Sequence, residues 1–135
     1  MNGHAAVMVY APNQAGEQFM QTLSEGGHSF AVVACSPAEQ RHLGARGLTN
    51  IVRINFKEQS LIYSSENEFS RVYIFEEELG RCCKVLDIIR KWTNGIIYVI
   101  TTKHYPQMIY RMLGANYVIR TTKDDVSFLI ENEVF

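Results

Sequence analysis

The chain has 135 residues, the size of one ordinary domain, and 47% of them are hydrophobic, enough to bury a core without disulfide or metal staples. Its 13 basic and 14 acidic residues leave a net charge of −1. This lacks the basic excess of a nucleic-acid binder, so no nucleic-acid partner is expected. No apolar run approaches the roughly 20 residues of a membrane span, and Met1-Asn2-Gly3-His4 has no basic-then-apolar secretory pattern; a soluble, cytoplasmic chain with no membrane insertion is expected.

The first apolar run, residues 5–10 (A-A-V-M-V-Y), reads as a strand, and the turn-rich residues 11–16 (A-P-N-Q-A-G) follow it. A helix then carries Phe19, Met20 and Leu23 on one face, and Gly26-Gly27 stops it as a left-handed cap would. The second run, residues 30–35 (F-A-V-V-A-C), leads into Ser36-Pro37-Ala38-Glu39. Ser36 can cap a helix, Pro37 suits its first position, and Glu39 can reach back to complete a capping box. That helix is expected to end at Gly47, with Arg46 near its negative end. Residues 51–54 (I-V-R-I) form the third run, and residues 55–70 are polar and irregular, with one short helix expected around Leu61-Ile62-Tyr63.

The fourth run, residues 72–75 (V-Y-I-F), enters Glu76-Glu77-Glu78 and then a strong helix. Leu79, Cys82, Cys83, Leu86 and Ile89 trace its apolar face, with Arg81, Lys84, Asp87 and Arg90 on the other side. Thr93-Asn94-Gly95 ends it. Residues 96–100 (I-I-Y-V-I) form the fifth run. Tyr105-Pro106 opens a helix with Ile109, Met112 and Leu113 inward, ended by Gly114. Residues 117–119 (Y-V-I) make the sixth run, and residues 124–135 a short amphipathic helix. The runs are mostly near-continuous rather than alternating, as in strands buried on both faces. Alternation of such strands with short helices predicts an α/β fold: a three-layer, Rossmann-like parallel sheet of about six strands joined by right-handed crossovers. Residues 1–135 read as a single domain, with no repeat or linker.

In such a sheet, ligands gather outside the carboxyl ends of the strands, which selects the loops after the first four. A dinucleotide loop wants G-x-G-x-x-G between strand and helix. Its glycine positions hold Ala11, Asn13 and Gly16, with Pro12, Gln14 and Ala15 between them; only the third glycine stands. The loop reads equally as a modified phosphate or nucleotide loop and as an ordinary strand–helix turn. Ala34, Cys35 and Ser36 end the second strand without the carboxylate that normally accepts from a ribose, and Ser36 is already assigned as a cap. Asn55 could bond an adenine edge or a ribose, or simply close a turn. Glu76 and the two acids after it could hold a divalent cation, but complementing the positive end of the helix is the plainer reading, and no metal is expected. Cys35, Cys82 and Cys83 are a poor disulfide framework, and the adjacent pair reads as small apolar helix residues. His4, His28, His42 and His104 are scattered, and no P-loop, nucleophile elbow or H-E-x-x-H is present. No nucleophile, base and acid assemble, so no enzyme is expected. An oxidoreductase would lack its catalytic groups. A receiver-like domain would lack its acidic pair after strand one and its phosphoacceptor Asp ending strand three.

The order of pieces resembles the N-terminal domain of Trk-type potassium-uptake regulators, the RCK domain (regulator of conductance of potassium), over about residues 5–122. The most specific stretch, Met112-Leu113-Gly114-Ala115-Asn116-Tyr117-Val118-Ile119, is similar to the family's "LGAD-x-VI" segment. Ser36-Pro37 is similar to its "D-x-D-P", and residues 47–55 to its "G-V-x-V-V-x-G-D". The family's first two loop glycines fall on Ala11 and Asn13, its ribose acid on Ala34 and its acid after strand three on Asn55. The second, ligand-binding domain that commonly follows is not in this sequence. The resemblance implies strand order 3-2-1-4-5-6 and a non-catalytic regulatory role. NAD(H) or an adenine nucleotide would be sensed at Ala11–Gly16, Cys35, Ser36, Asn55 and Glu76. The implied partners are a second copy of the chain, as a homodimer or higher oligomer, and a membrane transport protein. The alternative is a degenerate Rossmann-like scaffold that binds no nucleotide and acts in protein–protein assembly.

Overall fold

The structure, a computed structural model, describes residues 7–63, 69–122 and 128–131. The apolar runs become strands wherever described. In chain order the elements are β1 (Val7–Tyr10), α1 (Gln14–Glu25), β2 (Ala31–Ala34), α2 (Pro37–Ala45), β3 (Ile51–Asn55) and β4 (Ser60–Ile62). They continue as β5 (Arg71–Phe75), α3 (Leu79–Trp92), β6 (Ile96–Thr101), α4 (Gln107–Met112), β7 (Tyr117–Arg120) and α5 (Phe128–Glu131). Ala5 and Ala6 of the first expected strand, His4, and most of the expected terminal helix lie outside the described residues.

One seven-stranded sheet runs β4-β3-β2-β1-β5-β6-β7. All neighbours pair in parallel except β3 and β4, which are antiparallel. The six parallel strands therefore keep the implied order, and β4 adds a seventh at the edge. This strand replaces the helix expected around Leu61. The Asn55 side chain accepts from the Glu58 backbone N–H at 3.1 Å, and Gln59 takes a left-handed φ of 52°. Together they reverse the chain within four residues, so Ser60–Ile62 returns alongside β3. Leu61 then packs on the core while Ile62 faces outward.

Side chains alternate across the sheet, as the pleat requires. Val7 and Val9 of β1 join one apolar layer, and Met8 and Tyr10 the other. The first layer receives Phe19, Met20 and Leu23 of α1, Leu43 of α2 and Leu129 of α5. The second receives α3 through Cys82, Val85, Leu86, Ile88 and Ile89, and α4 through Tyr110. Two expected faces are thereby corrected. Val85 and Ile88 are buried in α3 whereas Cys83 is only partly so, because the apolar stripe is wider than a narrow seam. At α4 the fully buried residue is Tyr110 and Leu113 packs on the core as expected, while Met112 is 79% exposed. The short helix is rolled so that a phenol, which needs a buried partner, reaches one. The carboxyl ends of β1, β2, β3 and β5 share one rim of the sheet, since these strands are neighbours and parallel.

Candidate functional site

The loop after β1 is built around Asn13. This residue is extended, with φ −133° and ψ 178°, and caps α1; it does not adopt the left-handed conformation a second loop glycine would permit. Its Oδ1 accepts from the Gly16 N–H at 2.9 Å, and its Nδ2 donates to the Glu76 carbonyl at 3.1 Å, tying the β1 loop to the end of β5. Gly16 is needed for close approach: a Cβ there would lie 2.7 Å from Ala11 Cα, inside any real contact. That is the packing duty of the third loop glycine. Ala15 and Gly16 are buried, and the side chain of Gln14 is exposed.

At the end of β2, Ser36 caps α2, its hydroxyl accepting from Glu39 N–H at 3.1 Å. The Glu39 carboxylate reaches back one residue further than a capping box requires and accepts from Cys35 N–H at 2.9 Å. A carboxylate therefore does stand at the end of β2, delivered from the first turn of α2 rather than from the strand. Cys35 is buried in the same apolar layer as Tyr10. Burial, with Glu39 adding to it, pushes this thiol up to about 11, so Cys35 is a protonated packing group and not a nucleophile at neutral pH. Asn55 is occupied by its own turn, donating to Glu58 Oε1 at 3.1 Å.

The three acids after β5 part company. Glu78 caps α3, accepting from Arg81 N–H at 2.9 Å. Glu77 is exposed at the rim. Glu76 turns inward and is 2% exposed; its Oε1 accepts from Tyr110 OH at 2.6 Å and from Thr101 Oγ, and its Oε2 meets no hydrogen-bond partner among the described residues. Burial and the Glu76 bond push the Tyr110 phenol up. Among the described residues no group of three His, Cys, Asp or Glu side chains is placed to hold a metal ion.

A cleft of about 490 Å³ opens at the rim between these loops. Tyr10, Ala11 and Pro12 form one wall, Val32, Val33, Glu39 and His42 another, and Glu77 and Glu78 before α3 close it together with Arg81 of its first turn. Arg46 at the end of α2 also lines it, paired with Glu17 of α1 at 3.1 Å. Of the residues expected to form the site, Ala11 and Pro12 line the cleft. Asn13, Cys35 and Ser36 support it from behind through the bonds above, whereas Asn55 and the Glu76 side chain are engaged elsewhere.

Solved structures share this architecture. The TrkA-N domain of the inner membrane protein YbaL from Escherichia coli superposes with a TM-score of 0.62 at 14% identity, over 97% of this chain and 98% of that one. The NAD(P)-binding domain of an exopolyphosphatase-related protein from Archaeoglobus fulgidus gives 0.64 at 16%, over 95% and 92%. The chain has the Rossmann-like fold of TrkA-N and RCK domains. The GsuK channel bound to NAD gives 0.58 at 12% identity, over 87% of this chain but 22% of that one. No protein-family model matches the sequence, and no curated protein matches it.

Within this TrkA-N-like fold, the stretch that carries the resemblance is structural. Gly114 has φ +112°, and a Cβ there would lie 2.2 Å from Arg90 Cδ. Asn116 Oδ1, where the family has an acid, accepts from Ile97 N–H at 2.8 Å. Two cleft residues escaped the sequence reading in this role. From the sequence, Glu39 reads only as a cap and Arg81 only as part of the polar face of α3. The available signal was position alone: each stands in the first turn of a helix that starts at the rim.

Proposed function

We propose that this chain is a non-catalytic regulatory domain that binds an adenosine-containing ligand, the broad class that includes adenine nucleotides and NAD(H), in the rim cleft. It would pass that occupancy to a second copy of itself or to a transport protein, as the RCK resemblance implies. One observation carries the reading: the cleft lies at the carboxyl rim of a parallel sheet with a fixed carboxylate, Glu39, at the end of β2. That is where a Rossmann-type site receives a ribose. Arg81 stands across the cleft with its guanidinium 5.1 Å above the Phe56 ring, a planar cation suited to stacking on a base. The likeness in fold to a channel bound to NAD and to an NAD(P)-binding domain supports the ligand class. A ligand here controls a partner only if it binds the free and docked arrangements differently.

A thermal-shift panel of NAD, NADH, ATP, ADP, AMP and adenosine tests this. A ligand at 100 times its dissociation constant adds about 2.7 kcal/mol, and Glu39→Gln, which keeps an acceptor for Cys35, should weaken it about tenfold. A flat panel overturns the reading in favour of a scaffold that binds no nucleotide. The observation favouring that second reading is that Asn13 Oδ1 already occupies the Gly16 N–H.

A further inference from the structure

We infer that the cleft takes a nucleoside whose 5′ end is neutral or cationic, and that it discriminates against phosphorylated ligands. This rests on the reading of the cleft as a nucleoside site and specifies its ligand class. Phosphate-binding loops of this fold type work by leaving backbone N–H groups at a helix N-terminus unsatisfied, aimed at the anion. Here three helices begin at the rim, and in each a side chain of its own takes one first-turn N–H. Asn13 takes the Gly16 N–H at 2.9 Å, Ser36 the Glu39 N–H at 3.1 Å, and Glu78 the Arg81 N–H at 2.9 Å.

The charges point the same way. Four carboxylates line the cleft, those of Glu17, Glu39, Glu77 and Glu78, against the two guanidiniums of Arg46 and Arg81. The Glu17–Arg46 pair neutralises itself, which leaves three carboxylates facing one guanidinium. Glu78 places its negative charge at the N-terminus of α3, where a phosphate would otherwise profit from the helix dipole. Arg81 is also held back, with its guanidinium over the Phe56 ring. A dianionic phosphate would enter a net negative field, with one first-turn N–H of each helix already given to a cap. A ribose meets no such obstacle: one oxygen of Glu39 is fixed by Cys35 N–H at 2.9 Å, and the other can accept from a hydroxyl. The cleft, at about 490 Å³, is within the usual range for a small-molecule site.

Calorimetric titration of the full chain with adenosine, S-adenosylmethionine, AMP, ATP and NAD at moderate salt tests this. Adenosine and the sulfonium compound should bind best, with affinity falling roughly tenfold for each added phosphate. Tighter binding of ATP or NAD than of adenosine overturns the inference while leaving the cleft a nucleotide site. Binding by none of the five overturns the site itself. The double variant Asn13→Gly/Glu78→Ser frees the Gly16 N–H and removes the α3 charge while both residues remain tolerated caps. It should raise the affinity for AMP and NAD about tenfold relative to adenosine. An unmoved ratio in a variant that still melts cooperatively would show that these caps do not exclude phosphate, and the inference would fall.

Discussion

Arg90 shows how far one side chain's role can depart from its place on a helical wheel. It lies on the charged side of α3 in sequence, yet its guanidinium closes the lower end of the fold. Nη1 donates to Gly114 O at 2.9 Å and Asn116 Oδ1 at 3.2 Å, and Nη2 to Thr93 O at 2.6 Å and Gly95 O at 2.8 Å. These acceptors lie in the α3–β6 and α4–β7 connections, so one planar cation fastens both. Arg90→Met should cost about 2–3 kcal/mol in urea unfolding, because partly buried carbonyls lose their donors. Arg90→Lys should recover little, since an ammonium cannot span the fork; recovery to wild-type stability would show that charge alone matters there. Glu76 is a second such residue. Its buried carboxyl relies on Thr101 and Tyr110, and Tyr110→Phe removes one of those two donors without emptying the core. A loss of about 1–3 kcal/mol is expected, and a stability unchanged within 0.3 kcal/mol, roughly the limit of such comparisons, would mean that the carboxyl finds another donor.

Elements were legible in proportion to how much of their signal was local. β1, β2, β5 and β6 stand out as apolar runs because both faces of a central parallel strand are covered. The start of α2 could be read from Ser36 and Pro37 because capping chemistry spans only a few residues. β4 was not legible: it has three residues and exists because the preceding turn delivers it to the open edge of β3. The roll of α4 was equally hidden, since it is set by the distant Glu76, and the cleft role of Glu39 depends on α2 starting flush with the rim. The turn before β4 offers a direct test. Gln59 holds φ 52°, a conformation costing a non-glycine residue about 1 kcal/mol. Gln59→Gly should therefore stabilise the chain by about 0.5 kcal/mol after its extra unfolded-state entropy is deducted. A destabilisation by thermal melting would mean that the Gln59 side chain makes a compensating contact.

At the scale of the whole molecule, the cleft floor sets a limit on the alkaline side. Cys35 is raised from 9.0 to about 11 by burial first and by Glu39 second, and burial likewise raises Tyr10 and Cys82. In the unfolded chain these groups ionise at their ordinary values, so above about pH 9 the folded state binds more protons than the unfolded one. A raised folded value means that the stabilising contribution is intact below the unfolded value and is lost as pH climbs towards the folded one. For Cys35 that window runs from about 9 to about 11, and each such thiol steepens the decline by up to about 1.4 kcal/mol per pH unit. Urea midpoints should thus be level from pH 7.5 to 8.5 and fall beyond pH 9. Cys35→Ala should start from a lower stability, having lost its packing, but decline less steeply, because one titrating group is gone. If the variant and the parent fell in parallel, the thiol beneath the cleft would have to titrate normally, and the layer that buries Cys35 beside Tyr10 could not be as dry as the structure makes it.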